Sequence, residues 1–148
     1  MPQVRNKTYD ILVVDDEIGD VELVKSALAE GPFPCRVTVA HDGLEAMAIL
    51  RKEMPNFRNA PTPDLILLDL NMPRMNGREV LRALKADPEL TSLPVVVLTT
   101  SEADHDTRTA YSLGAAGYVT KPLDIEQLFT AIHGIEDYWF RVVRGVPR

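Results

Sequence analysis

Residues 11–17 are ILVVDDE, a short apolar run that ends in three acidic residues. A continuous apolar run of this length is typical of a strand that is buried on both faces of a parallel sheet. The same pattern returns as LILLD at residues 65–69 and as VVVLT at residues 95–99. Each run stops at a polar side chain. The sequence therefore predicts a parallel sheet with polar residues at the carboxyl ends of its strands.

Helical patterns lie between these strands. Apolar residues recur at helical spacing after residue 17, and Gly31 with Pro32 ends that helix. Residues 54–63 hold three prolines and no apolar periodicity, which predicts a long surface loop. Further strands are predicted at residues 36–40 and 117–120, and further helices from Asp42 or Gly43, at residues 77–86 and 103–113, and from Asp124. Five strand-then-helix units with right-handed crossovers give an α/β fold, a doubly wound five-stranded parallel sheet.

Composition limits the class of protein. A chain of 148 residues with 45% apolar and 26% charged residues fits one globular domain. The net charge of −6 argues against binding to nucleic acid or to an anionic membrane surface. The longest apolar stretches fall far short of the ~20 residues needed to span a bilayer. Cys35 is the single cysteine, and the first residues do not resemble a signal peptide, so a cytoplasmic location is expected.

The polar residues at the strand ends form a candidate reaction site. In a doubly wound sheet, ligands bind outside the carboxyl ends of the strands, near the reversal of strand order. The residues at these ends are Asp15, Asp16, Asp69, Thr99 and Lys121. Two carboxylates ~4 Å apart repel by about 4 kcal/mol at an effective dielectric constant of ~20, so the cluster needs cations. Lys121 can offset one charge, and Mg²⁺ fits the remaining oxygen ligands because it accepts one or two carboxylates and phosphate oxygens.

Four segments of the chain resemble the signatures of two-component receiver domains. They are VVDDE at residues 13–17, LLDLNMP at 67–73 followed by Asn76-Gly77, LT at 98–99 and GYVTKP at 117–122. The resemblance runs from about Asp10 to His133 and implies the (βα)₅ receiver fold, which is flavodoxin-like in topology. It divides the chain into a response regulator receiver domain at residues 8–133 and a C-terminal helical extension at residues 134–148. No output domain is expected.

The resemblance implies a phosphoprotein of a phosphorelay. Asp69 would receive a phosphoryl group from a histidine kinase and so become an aspartyl phosphate. Asp16 and Asp69 would bind Mg²⁺, Asp15 would hold the ion through a water molecule, and the backbone carbonyl of Asn71 would complete the ligand set. The chain would not be an enzyme beyond self-phosphorylation from a phosphodonor and slow self-dephosphorylation.

The resemblance also implies a switch. Lys121 would pair with Asp69 and later with a phosphoryl oxygen, while the Thr99 hydroxyl would bond to another. Tyr118 matches the family's switch aromatic, and this role is favoured over the alternative of a half-buried strand tyrosine. The switch would alter the face of the helix at 103–113, the last strand and the last helix, where a partner or a second copy would bind. Thr100 departs from the smaller residue that many members carry there.

The last helix carries an apolar stripe beyond the receiver signatures. Its members are Leu128, Ile132, Ile135, Trp139 and Val142, spaced at four, three, four and three residues. The stripe either folds back on its own domain or forms a homodimer interface, and the aromatic residues around Trp139 favour the interface. This tail and the long loop at residues 54–63 resemble single-domain regulators that serve bacterial phytochrome histidine kinases.

Three other classes of protein are less consistent with the residues. A flavodoxin-like cofactor binder needs a phosphate-binding loop after the first strand, where this chain has three acidic residues that would repel phosphate. A phosphatase with an aspartyl nucleophile would carry a second acid at position 71, which is Asn71. A structural pseudo-receiver would lack at least one member of the cluster, and all members are present.

Overall fold

The structure is a computed structural model that describes residues 7–142, apart from the side chains of Met54 and Val142. Five parallel strands form one sheet within this range. They are β1 (Tyr9–Val14), β2 (Cys35–Ala40), β3 (Leu65–Leu68), β4 (Val95–Thr99) and β5 (Gly117–Thr120). The predicted fold class is therefore confirmed.

Helices follow each strand in the described part of the chain. They are α1 (Ile18–Glu30), α2 (Gly43–Leu50), α3 (Met54–Phe57), α4 (Gly77–Ala86), α5 (Asp104–Ser112) and α6 (Ile125–Asp137), and a π-helical turn (Tyr138–Val142) continues α6. The segment at residues 54–63, predicted as a loop, contains the single turn α3, because Pro55 is tolerated in a first helical turn. Between residues 7 and 142, no helix has the length and apolar character that a membrane crossing requires.

The strand order places the reversal of winding beside the acidic cluster. The order is β2-β1-β3-β4-β5, with β1 paired to β2 on one side and to β3 on the other. The sheet therefore grows in opposite directions from β1 and β3, and a crevice opens at their carboxyl ends. Asp15 and Asp69 are the first residues after these two strands.

Apolar side chains of the central strands alternate between two cores. The face toward α1 and α6 carries Ile11, Val13, Leu65, Leu67, Val96 and Leu98. The face toward α2 and α4 carries Leu12, Val14, Ile66, Leu68, Val95 and Val97. Every residue of β3 and β4 is buried. Helices on both faces explain why these strands are continuous apolar runs rather than alternating ones.

The apolar stripe of the last helix packs on its own domain. Leu128, Ile132 and Ile135 are buried in the core between α1, α6 and the sheet, and Trp139 is half-buried against the same core. A side chain buried in its own core cannot also pack against a second copy, so the predicted interface is wrong for Leu128, Ile132 and Ile135. Helical spacing identifies an apolar face but not the surface that covers it. The side chain of Val142 lies outside the described residues.

Aromatic contacts hold the π-helical turn against the start of the sheet. The rings of Tyr9 and Phe140 stack with centroids 3.9 Å apart. Phe33 contacts both rings edge-on, at 5.7 Å from Tyr9 and 5.5 Å from Phe140. Arg141 lies over the Phe33 ring at 5.1 Å. The predicted domain boundary after His133 falls inside α6, which runs on without a break.

Candidate metal and phosphorylation site

Strand ends bring the predicted site residues to one edge of the sheet. The N–H group of Asp69 donates to the carbonyl of Val14 at 2.9 Å, and that of Lys121 donates to the carbonyl of Thr99 at 2.7 Å. Asp15 directly follows β1. These bonds continue the pairing of the sheet past the last residues of β3 and β5. The backbone at Asp69 and Lys121 is therefore held by the same kind of bonds as the sheet.

Three carboxylates meet at this edge. Oxygen atoms of Asp15, Asp16 and Asp69 lie within 4.8 Å of one another. Asp15 and Asp69 are buried, whereas Asp16 is exposed. Burial raises the pKa of Asp15 and the charge of Asp69 raises it further, although hydrogen bonds from Lys121 and from the Glu17 N–H oppose both effects. A donor set made only of carboxylate oxygens, with unbalanced negative charge, fits a hard divalent cation.

Lys121 is paired differently from the prediction. Its Nζ donates to Asp15 Oδ2 at 2.6 Å and to Asp20 Oδ2 at 3.0 Å. Among the contacts of residues 7–142, the predicted pairing with Asp69 is absent, so that prediction is wrong for this state. Burial acts to lower the pKa of Lys121, but the bonds with Asp15 and Asp20 outweigh it and the pKa is raised. Asp20, in the first turn of α1, was not predicted as a partner of Lys121.

Among residues 7–142, the hydroxyl group of Thr99 is without a hydrogen-bond partner. Thr99 is 0% exposed, and within the described part of the chain its Oγ1 makes no hydrogen bond. Leaving a buried hydroxyl unpaired costs roughly 1–3 kcal/mol, which would be recovered when an acceptor binds nearby. A phosphoryl oxygen is an acceptor of this kind.

The loop after β3 is shaped by two close contacts. The backbone of Gly77, the first residue of α4, lies so near the carbonyl of Asp69 that any Cβ there would collide with it. Asn76 caps α4 by accepting from the Glu79 N–H at 3.0 Å, and the Glu79 carboxylate accepts from the Asn76 N–H at 3.0 Å. Asn71, whose carbonyl is a predicted metal ligand, lies exposed in this loop.

Tyr118 is tied to the loop that follows Thr99. Its ring is half-buried, and its hydroxyl donates to the carbonyl of Ser101 at 3.0 Å. The Ser101 hydroxyl donates to Asp106 at 2.6 Å, and Arg78 donates to the same carboxylate at 2.7 Å. These two bonds, the Ser101 bond first, lower the pKa of Asp106. Sequence patterns did not reveal this network, because its members lie on three elements with no shared periodicity.

A cavity of about 130 Å³ opens beside Lys121. It lies between α1 and the segment that leads into α6, and Asp20 and Thr100 line it. Thr100, where many family members carry a smaller residue, is exposed at this cavity. Leu123, at the rim, is 99% exposed.

Another buried carboxyl group lies near the start of β2, at the opposite edge of the sheet. Glu136 is 0% exposed, and the Cys35 thiol donates to its Oε2 at 3.4 Å. Its Oε1 has no hydrogen-bond partner among the residues described. Burial, reinforced by Glu136, raises the pKa of Cys35 to about 12, so the thiol stays protonated and unreactive.

The sheet order and the acidic edge define the class of protein. The chain belongs to the response regulator receiver domain family, whose model matches residues 11–133. Receiver domains bind a divalent metal ion at an acidic pocket, and the carboxylate cluster of this chain fits such an ion. The protein is a receiver-domain response regulator of two-component signalling.

Particular relatives are similar along nearly the whole chain. The response regulator Rcp1 of Synechocystis sp. is 41% identical over 143 residues, with 97% of each chain covered. The structure of the phosphorylated cyanobacterial phytochrome response regulator RcpA has a TM-score of 0.90 at 42% identity, covering 95% of this chain and all of that one. The Mn²⁺-bound form of Rcp1 has a TM-score of 0.86 at 40% identity, covering 94% and 99%. The predicted similarity to phytochrome-associated regulators is confirmed.

Proposed function

We propose that Asp69 accepts a phosphoryl group from the phosphohistidine of a histidine kinase while Mg²⁺ is bound at the cluster. One observation carries this proposal. Four strand ends bring Asp69 to one edge of the sheet with two further carboxylates, the Lys121 ammonium and the hydroxyl of Thr99, which lacks a partner in the described part of the chain. Two buried carboxylates beside an exposed third, with a buried hydroxyl that lacks a partner among the described residues, are poorly explained by fold stability alone, because such groups are unfavourable without a ligand.

The transfer is a substitution at phosphorus. A carboxylate oxygen of Asp69 forms the new O–P bond while the P–N bond to the donor imidazole breaks, and the imidazole nitrogen leaves with the electron pair. Charge in the transition state lies mainly on the equatorial oxygens, so groups placed around them to donate or to carry positive charge lower the barrier. Bound Mg²⁺ supplies positive charge to the carboxylates and to the phosphoryl oxygens.

Mg²⁺ is the ion that we assign to the site. The carboxylates of Asp16 and Asp69 and the carbonyl of Asn71 would hold it, and Asp15 would hold it through water. Mg²⁺ binds through one or two carboxylates and retains several waters, which suits a half-exposed oxygen cluster. The Mn²⁺-bound form of Rcp1 supports a divalent ion of this kind.

Two side chains would respond to the phosphoryl group. Its oxygens offer the Lys121 ammonium new acceptors in place of Asp15 and Asp20, and they offer the Thr99 hydroxyl its missing partner. Movement at Thr99 would reach Ser101 two residues later, whose carbonyl holds the Tyr118 hydroxyl. The signal would thereby pass to the face formed by α5, β5 and α6.

This face is the proposed contact for partners. The Tyr111 side chain is half-exposed on α5, which supports a protein contact there, including a homodimer. Similarity to phytochrome-associated regulators supports a phytochrome-type histidine kinase as the phosphodonor. Beyond self-phosphorylation and slow self-dephosphorylation, the proposed role is non-enzymatic, with residues 8–133 as the receiver domain and a cytoplasmic site of action.

Labelling by a small phosphodonor tests the acceptor. Acetyl phosphate with Mg²⁺ should phosphorylate the wild-type protein, and Asp69→Asn should take up none. Asp137→Asn, which removes an exposed carboxylate on α6, should be labelled like the wild type. Equal labelling of Asp69→Asn, or labelling that persists after Mg²⁺ is chelated, would show that the assignment is wrong.

A further inference from the structure

Two contacts join the loop between β3 and α4 to the start of α2. The Arg74 guanidinium binds the Asp42 carboxylate, with Nε at 2.9 Å from Oδ2 and Nη2 on the same oxygen. The N–H of Gly43 donates to the carbonyl of Met75 at 2.9 Å. The loop that follows Asp69 is therefore anchored to the start of α2, the helix that follows β2.

The Asp42 carboxylate is well placed to act as an anchor. It is 6% exposed, and its Oδ1 accepts from the Glu45 N–H at 2.8 Å, which caps α2. Burial acts to raise the pKa of Asp42, but the bonds from Glu45 and Arg74 outweigh it, so the pKa is lowered and the group stays charged. One oxygen of the Asp42 carboxylate thus caps the helix, and the other binds Arg74 of the loop.

The loop needs this anchor because its backbone is strained. Arg74 has φ of 66°, in the left-handed region that a non-glycine residue occupies only when its surroundings hold it there. The backbone of Gly43 packs directly against the loop, since a Cβ on Gly43 would collide with the carbonyl and side chain of Met75. Loss of the Arg74 contact would let the loop relax toward other conformations.

We propose that Asp42 and Arg74 form a positioning pair that sets the affinity of the acidic site for its divalent ion. The inference rests on the proposed function, because it acts through the carbonyl of Asn71, a proposed ligand in the same loop. Neither member of the pair touches the reacting atoms. Asp69 and Lys121 stand at strand ends outside the loop, so the rate at saturating Mg²⁺ should not depend on the pair.

Four variants test the pair. Arg74→Ala removes the cation, Asp42→Asn keeps an acceptor for the cap of α2, and the double variant removes both charges. Arg36→Ala is the matched control, because it removes a bidentate pair with Asp10 at the opposite edge of the sheet, at 2.6 and 3.2 Å. Initial rates of labelling by acetyl phosphate are measured over a range of Mg²⁺ concentrations. Mn²⁺ binding is measured separately by electron paramagnetic resonance, without a phosphodonor.

Each single variant should raise the half-saturating Mg²⁺ concentration and the Mn²⁺ dissociation constant by about threefold to tenfold. Residues that support metal ligands without binding the ion typically change metal affinity by about 10- to 100-fold. The expected change is at or below the lower end of that range, because Arg74 is exposed. The double variant should be no worse than either single one, since all three break the same contact. Maximal rates, and both constants of Arg36→Ala, should match the wild type.

Several results would overturn the inference. It would be overturned if both constants were unchanged in Arg74→Ala, or if they shifted equally in Arg36→Ala. It would also be overturned if the effects multiplied in the double variant, or if only the maximal rate fell. These leave the proposed function intact if the wild type is labelled on Asp69. A wild type that neither binds Mn²⁺ nor shows Mg²⁺-dependent labelling would overturn both.

Discussion

Replacement of Glu136 by glutamine is expected to stabilise the protein at pH 8 and to have little effect near pH 4. Glu136 is fully buried, and in the part of the chain that the structure describes its Oε1 lacks a partner. Burial raises the pKa of Glu136, and the hydrogen bond from Cys35 and the charge of His133 only partly oppose this.

The direction of the pH effect follows from that raised pKa. In the folded protein Glu136 keeps its proton at pH values where the unfolded chain, with its ordinary value of 4.5, has lost it. The contribution of protonated Glu136 to stability is therefore complete below the pKa that Glu136 has in the unfolded chain. It is lost as the pH rises from there through the pKa of Glu136 in the folded protein. Glutamine has nearly the same shape and is neutral at every pH, so the variant should escape this loss.

The size of the effect can be bounded from the environment of the carboxyl group. A buried polar group without an adequate partner destabilises by about 1–3 kcal/mol. The Cys35 thiol supplies one weak donor at 3.4 Å, which favours the lower half of that range. At about 1–2 kcal/mol, the melting temperature at pH 8 should rise by roughly 2–8 °C.

Urea unfolding from pH 4 to pH 8 measures the difference in free energy of unfolding between Glu136→Gln and the wild type. Trp139, the single tryptophan, is half-buried against the core that includes α6, so its fluorescence reports unfolding of the relevant region. Comparison of Glu136→Gln with wild type at each pH cancels the titration of the groups that do not interact with Glu136. Glu126→Gln, an exposed glutamate on the same helix, should stay within about 0.5 kcal/mol of wild type. A gap between Glu136→Gln and wild type that does not grow with pH would refute the reasoning.

Three other substitutions have expected outcomes. Ile132→Ala should lower the free energy of unfolding by about 2–5 kcal/mol, because the side chain is fully buried; urea unfolding measures this, and a loss below ~1 kcal/mol would contradict the packing. Gly77→Ala should slow labelling of Asp69, because its Cβ would displace the Asp69 carbonyl; labelling at the wild-type rate would count against this contact. Lys121→Ala should fold and accept phosphate more slowly, but sedimentation and partner binding should no longer differ between its phosphorylated and unphosphorylated forms.

Local patterns were sufficient for the fold and for the carboxylate cluster. A strand buried on both faces must be apolar throughout, so its end is marked by the first charged residue, as at Asp15 and Asp69. Parallel strands then bring those ends together without any further information. The start of α4 at Gly77 was also predicted, and the local capping box of Asn76 and Glu79 agrees with it.

Long-range choices between competing partners were not predictable. Lys121 has several carboxylates within reach, and its pairing with Asp15 and Asp20 rather than Asp69 depends on positions in three dimensions. The stripe that contains Ile132 has the same spacing whether its own sheet or a second copy covers it. The link between Asp42 and Arg74 joins loops 32 residues apart, and no periodicity connects them.

The stacking of Tyr9 on Phe140 brings together two residues 131 positions apart and places the first strand beside the last helical turn. Tyr9 begins β1, so this junction lies at the amino-terminal edge of the sheet, away from the acidic carboxyl-terminal edge. A fluorophore or surface tether attached near either residue would therefore sit on the side remote from Asp69. The same proximity makes circular permutation geometrically simple, since a short linker could span the distance between β1 and the π-helical turn.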